Sequence, residues 1–304
     1  MNKIIWLIAH EPQHLFLRTA RAFSESLSRL TNNKYSIEIL TVSEYQEKYD
    51  QDFEEGTDLF DHIKSNKIQM SQTQVHRFGS WDVNYRVFDM PFLFRDHDHA
   101  TNVFEGDLGK SFCERLAKKS GMRGLCFTYS GGWRIVGSNK PIDNVNNLSG
   151  LKIRVNGNPV NADFMNSLGA SALPMYTYGY DQINEGLLDA AETTYIRFLG
   201  KHILKTNHNM FLTSVVINDE FYKSLLEQDQ RAFSEAAVET ARLERQWSIE
   251  DAEKFESRCL ENSITITDIT PEQKAHLEKT SLAVYDKWNQ YFLPGLVDAI
   301  KTVH

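Results

Sequence analysis

Along the chain, short apolar runs alternate with stretches in which apolar residues recur every three or four positions, a pattern that predicts an α/β protein. Ile4-Ile5-Trp6-Leu7-Ile8-Ala9 reads as a buried first strand. Leu15, Leu17, Ala20, Phe23, Leu27 and Leu30 keep near-helical spacing, so residues 13–30 are expected to form an amphipathic helix. Tyr35 to Val42 alternates and predicts the second strand. Residues 44–67 are polar and acidic, with Phe60 and Ile63 marking the buried side of one short helix. Residues 68–74 form an alternating strand that turns polar at its end. Pro91 interrupts the apolar patch Phe88 to Phe94, which is therefore loop or edge rather than central strand.

Residues 99–119 predict a helix ended by Gly121. Strands are expected at 124–129, after Gly131-Gly132, and at Leu151 to Val155. Short helices follow at 161–168 and 180–188, then a β-branched strand at 211–218. Residues 219–262 contain neither proline nor glycine and carry apolar positions from Phe221 to Leu260. This is one long helix, or two broken at Glu227-Gln228-Asp229. Residues 264–269 predict a last strand, and Pro271 opens a final helix.

The chain has 304 residues, enough for two domains. Its 41% hydrophobic and 24% charged residues exclude a disordered chain or a disulfide-dense scaffold. The net charge of -8 argues against nucleic acid as a partner. Cys113, Cys126 and Cys259 lack metal or redox spacing and read as small hydrophobes. No apolar run is long enough to span a bilayer, and six apolar residues are too few for a secretory core. The chain is therefore either cytoplasmic or has lost an export segment.

Arg154 is the most informative residue. It lies within an apolar strand, where a charge needs a partner. That partner is either a structural carboxylate or a ligand carboxylate, which suits the guanidinium fork. Arg134 follows Gly131-Gly132-Trp133, where a ligand could approach the backbone closely and Trp133 could supply an apolar wall. Alone, a strand-starting arginine is usually just exposed. Asp96-His97-Asp98-His99 has metal-ligand chemistry but the wrong spacing, so it is read as capping the following helix and no metal is assigned. Nucleophile-elbow, HExxH, P-loop and dinucleotide signatures are absent, so no motif supports catalysis or a cofactor, although a triad need not be visible in sequence. His14, Gln74, Tyr176, Thr193 and Tyr195 fall at strand ends or in loops, where binding groups often sit.

Phe88-Asp89-Met90-Pro91-Phe92-Leu93-Phe94 with His99 resembles the DxPFLF…H segment of the periplasmic solute-binding proteins of tripartite ATP-independent (TRAP) transporters, of the DctP type. Pro141-Ile142 with Leu148-Ser149-Gly150-Leu151-Lys152-Ile153-Arg154-Val155 is similar to their PI…DLKGLKIRV signature. Leu168-Gly169-Ala170 with Pro174-Met175, and Gly186 to Glu192, resemble further motifs in the same order.

The resemblance implies a two-domain periplasmic-binding-protein-like fold with crossing strands, an interdomain ligand cleft and a long bracing helix. The implied domains are residues 1–130 plus about 218–256, and about 131–217 plus 257–304. It implies that Arg154 holds a small organic acid by its carboxylate, with Arg134 as second basic contact and Gln74 as a contact from the first domain. Trp133, Thr193, Tyr176, Tyr195, His14 and Asn158 complete the expected ligand-binding set. Thr193 stands where many members carry an amide, so their ligand identity does not transfer. The tyrosine-rich segment around Tyr176 suits a ligand with an apolar or aromatic part. The implied partners are the ligand and the membrane permease subunits; the implied state is a periplasmic monomer whose export segment has been removed. Alternatives are a ligand-sensing module for a signalling partner and a cleft enzyme.

Overall fold

The alternation of strand and helix resolves into two sheets. In the computed structural model, residues 2–10, 13–50, 52–53, 58–175, 180–195 and 200–304 are described. The chain runs through β1 (Asn2–Ile8), α1 (Gln13–Leu30), β2 (Tyr35–Thr41), α2 (Val42–Tyr49), α3 (Asp58–Lys64) and β3 (Met70–Gln74). It continues through α4 (His97–Glu105), α5 (Asp107–Ser120), β4 (Met122–Trp133), β5 (Ile135–Ser138), β6 (Lys152–Val155), α6 (Pro159–Ser167), β7 (Ser171–Pro174) and α7 (Tyr180–Asn184). The remaining elements are β8 (Ala190–Thr193), β9 (His202–Lys205), β10 (Met210–Asn218), α8 (Asp219–Ser224), α9 (Glu227–Glu261), β11 (Thr265–Asp268), α10 (Pro271–Trp288) and α11 (Leu296–Lys301).

These elements divide into two compact units. The first comprises Met1–Asp82, Ala100–Ser130 and Leu212–Ser248; the second comprises Val83–His99, Gly131–Phe211 and Ile249–His304. Strands β4 and β10 and helix α9 each contribute residues to both.

The first unit is built on a sheet of order β2-β1-β3-β10-β4. Strand β1 pairs in parallel with β2 and β3, and β10 runs antiparallel to β3. The apolar stripe of α1 supplies Phe16, Ala20, Phe23 and Leu27 to a core with Ile4, Trp6 and Phe233. Each fully buried large side chain contributes roughly 1.5–3 kcal/mol. A polar cluster also lies within this unit. Gln72 Nε2 donates to both carboxylate oxygens of Glu244 at 2.7 and 2.8 Å, and Ser130 Oγ donates to Oε1 at 2.9 Å. Burial pushes the Glu244 carboxyl up to about 7, although Gln72, Ser130, Thr128 and Thr19 stabilise its charge.

The second unit is built on a sheet of order β11-β9-β5-β8-β6-β7. Here α6 begins with Pro159 at its first turn and is capped by Asn158, whose Oδ1 accepts from the Val160 N–H at 3.0 Å. The cap is required because the first N–H groups of a helix have no internal partner. Asp96 caps α4, accepting the His99 N–H at 2.7 Å, as expected for the Asp-His-Asp-His run. His99 accepts the Arg95 N–H at Nδ1 (3.1 Å) and donates from Nε2 to the Ile300 carbonyl (2.9 Å). The Arg95 guanidinium donates to the Lys301 and Val303 carbonyls, each at 2.7 Å. The C-terminal helix α11 is thus held at its otherwise unpaired carbonyls.

Several boundaries differ from the sequence expectation. Residues 44–67 contain part of one helix and all of a second rather than one short helix. The helix expected at 99–119 is two, broken at Gly106, and a Cβ on Gly109 would lie 2.0 Å from the Phe104 carbonyl oxygen. Only glycine permits that approach. Strand β4 runs unbroken through Gly131 and Gly132, both at positive φ. The long run after 219 breaks at Leu225, which leaves the helical conformation to pack against the core. The resulting α9 has 35 residues. Strands β7, β8 and β9 have no counterpart in the sequence expectation.

Candidate functional site

Strand β8 lies between β5 and β6, and its Glu192 gathers charged groups from both sides. Register places Val136 opposite Glu192 across the antiparallel β5–β8 pair, and Arg154 opposite Ala191 across the parallel β6–β8 pair. Side chains alternate faces along a strand, so Arg134, two residues before Val136, shares the face of Glu192. The structure realises this geometry: Arg134 Nε donates to Glu192 Oε1, with both side chains buried. Arg154 sits on the other face and reaches the main chain instead, donating from a guanidinium nitrogen to the Glu192 carbonyl at 3.3 Å. It too is buried. Two guanidiniums therefore meet one residue of β8 in a region with little water to screen them.

The surrounding shell is also polar. Asn161 on α6 donates to Glu192 Oε1 at 3.4 Å and to Asn156 Oδ1 at 3.2 Å. Asn209 donates to Asn161 Oδ1 and to the Asp89 carbonyl, each at 3.0 Å. His208 Nε2 lies 3.6 Å from Glu192 Oε1, and its Nδ1 lies 2.8 Å from the Thr206 hydroxyl.

Burial and charge act in opposite directions on these groups. Burial pushes the Glu192 carboxyl up, but Arg134, with His208 and Arg154, more than offsets it and holds the group below its ordinary value. Burial pushes Asp89 up to about 7, against the opposing pull of Asn158, Arg86 and Arg134. Burial lowers His208, only partly countered by Glu192. The site thus holds an ionised glutamate, a carboxyl that titrates near neutrality and a histidine kept neutral.

The expected site residues are distributed as follows. Arg134, Arg154 and Asn158 fall in this region of the second unit. Thr193 follows Glu192 on β8 and is buried. Trp133 is half-buried, with its ring 5.7 Å from that of His97. Tyr195 is buried in an apolar cluster with Ile135, Ile203 and Cys259. Gln74 and His14 belong to the first unit. Gln74 ends β3, with its amide nitrogen 3.1 Å from His10 Nδ1, and His14 is exposed on the first turn of α1. Tyr176 lies outside the described residues. Sequence reasoning assigned no site role to Glu192, Asn161, His208, Asn209 or Asp89. Glu192 and Asp89 stood inside the quoted motifs, and that was their one signal.

The chain thus combines two α/β units with a buried charged centre in the second. Comparisons with known proteins give its class. The family model for bacterial extracellular solute-binding proteins, family 7 (DctP), matches residues 8–291. The chain belongs to this family of transport proteins. It is 25% identical over 293 residues to the C4-dicarboxylate-binding periplasmic protein DctP of Rhodobacter capsulatus, covering 93% of this chain and 85% of that protein. It is 27% identical to the 2,3-diketo-L-gulonate-binding periplasmic protein YiaO of Escherichia coli, covering 79% and 75%. Among solved structures, a TRAP periplasmic solute-binding protein from Bordetella bronchiseptica, with density interpreted as pantoate, superposes with a TM-score of 0.88 at 18% identity, over 100% of both chains. One from Shewanella oneidensis with bound succinate gives 0.84 at 19%, over 99% of both. At these identities the structural likeness speaks for the fold. No helix among the described residues is long and apolar enough to cross a membrane.

Proposed function

We propose that this chain is the periplasmic solute-binding component of a TRAP transporter, that it captures a small organic-acid anion through Arg154, and that it hands the anion to a membrane permease. One observation carries the reading: two buried arginines, Arg134 just before β5 and Arg154 on β6, reach Glu192 from either side of β8. The Glu192 carboxylate engages Arg134 and fixes its orientation. Arg154 donates to the Glu192 main-chain carbonyl, and a guanidinium fork matches a carboxylate in a bidentate pair. Arg134 adds positive potential, and Thr193, Asn158 and Trp133 offer a hydroxyl, an amide and an apolar wall. Gln74, His14, Tyr176 and Tyr195 complete the proposed ligand set. Relatives are named for C4-dicarboxylate and 2,3-diketo-L-gulonate, and related folds hold succinate, which supports the organic-acid class.

The test is titration calorimetry against mono- and dicarboxylates, keto acids, sugar acids and aromatic acids. The reading expects one class to bind the wild type and to be lost in Arg154→Ala. Normal binding by that variant refutes the clamp.

A further inference from the structure

The chain contains one Asn-Gly dipeptide, Asn156-Gly157, and it lies two residues after Arg154. We propose that Asn156 is a site of spontaneous covalent modification, converting to aspartate and isoaspartate, and that the conversion weakens anion binding at Arg154. The chemistry needs only water. The backbone nitrogen of Gly157 adds to the side-chain carbonyl carbon of Asn156; that nitrogen's proton and the amide nitrogen depart as ammonia, leaving a five-membered cyclic imide. Water then adds to one of the two imide carbonyls. Opening on one side gives aspartate, and opening on the other gives isoaspartate, with the main chain rerouted through the side-chain methylene.

Four features of this place favour the reaction. First, residue 157 has no side chain to shield its nitrogen or restrict its backbone, and asparagine is among the thermolabile residues. Second, residues 156–158 belong to neither β6 nor α6, so no regular ladder fixes the peptide. The Asn158 N–H bonds the Asn156 carbonyl, folding the three residues into a tight i→i+2 turn. Third, the Asn156 side-chain oxygen accepts from Asn161 Nδ2 at 3.2 Å. That bond draws electron density from the carbonyl carbon under attack. Fourth, Asn156 is half-buried rather than sealed from water.

The consequence follows from the same hydrogen bonds. Asn161 Nδ2 is shared between Asn156 Oδ1 and the Glu192 carboxylate. Conversion places a second carboxylate on that amide, adding negative charge beside the centre that Arg134 and Arg154 make positive. Isoaspartate also lengthens the main chain between Arg154 and Asn158, the residue that caps α6. Both products oppose an incoming anion; this consequence rests on the binding role proposed for Arg154, whereas the conversion itself does not.

The experiment ages the folded chain at mildly alkaline pH, beside the same chain unfolded in denaturant and a folded Gly157→Ala variant. Gly157 is not among the glycines at positive φ, so alanine is tolerated there without backbone strain. Peptide mapping by mass spectrometry follows the amide-to-acid gain at residue 156. The more acidic fraction, separated by ion exchange, is then titrated with succinate and with D-glucuronate. The expected result is conversion at 156 in the folded wild type, its near loss in Gly157→Ala, and weaker binding of the probe acids by the converted fraction. Retention of the amide in the folded chain while the unfolded chain converts overturns the modification. Equal binding by converted and fresh fractions overturns the consequence. Conversion in a chain whose fresh form binds neither acid upholds the modification and counts against the binding reading instead.

Discussion

Arg134 and Glu192 form a buried ion pair, the guanidinium Nε of the residue just before β5 donating to the carboxylate on the neighbouring strand β8. Two charges taken out of water repay the cost of desolvation only while both are present. Glu192→Ala leaves Arg134 charged and buried, and the expected loss is about 3–5 kcal/mol of stability. Glu192→Gln, which preserves shape but not charge, is expected to fall between wild type and Glu192→Ala. Chemical denaturation of the three chains checks the order.

The same pair gives a pH dependence. The folded-state pKa of Glu192 lies below its ordinary 4.5, because Arg134, His208 and Arg154 together outweigh burial. Its contribution to stability is therefore complete above pH 4.5 and is lost as the pH falls below that value. Wild type should lose stability on acidification in that range more steeply than Glu192→Gln. Denaturation midpoints collected down the acid limb test this.

Glu244 in the first unit has the opposite sign. Burial raises its carboxyl from 4.5 to about 7. The folded chain holds a proton there that the unfolded chain gives up, so stability declines as the pH rises from 4.5 through 7. Glu244→Gln removes that titration. At neutral pH the variant is expected to equal or exceed wild type, by up to roughly 3 kcal/mol, and to lose this advantage near pH 4.5. Denaturation at the two ends of the interval reads the difference.

Arg95 and His99 together tie down the last turn of the chain through the Ile300, Lys301 and Val303 carbonyls. Arg95→Ala removes two of these bonds from an exposed edge, worth about 1 kcal/mol in all. The effect should be local. Amide exchange is expected to accelerate within Leu296–Lys301 and to stay unchanged in α10.

Asn158 separates two roles. As the cap of α6, its replacement by alanine should cost about 1 kcal/mol of stability. As a ligand contact, the same change should weaken anion binding by more than that loss accounts for. Parallel denaturation and titration of Asn158→Ala distinguish the two.

Much of the fold was legible because it depends on local pattern. The apolar spacing of α1, the proline that opens α10 and the run Lys152–Val155 each fix an element without help from distant residues. Where Gly106 breaks a helix and Leu225 turns into the core, the cause is tertiary packing, which periodicity does not carry. The charged centre was legible only in part. Arg154 stood out because a charge inside an apolar strand demands a partner. By position alone Arg134 reads as an ordinary exposed strand-start residue, and only the family resemblance gives it a role; its burial is not legible because its partner Glu192 lies 58 positions away in sequence. His208, Asn209 and Asn161 join the same centre from separate segments, and no spacing rule links them.

The central claim is that Arg154 holds the carboxylate of an organic acid. Titration calorimetry of wild type, Arg154→Lys and Arg154→Ala against whichever acid binds the wild type tests it most directly. Losing one half of a buried ion pair costs about 3–5 kcal/mol, so Arg154→Ala should bind some hundreds-fold more weakly or worse. Arg154→Lys should also fail substantially, because an ammonium cannot reproduce the fork. Undiminished affinity in a folded Arg154→Ala protein would contradict the account.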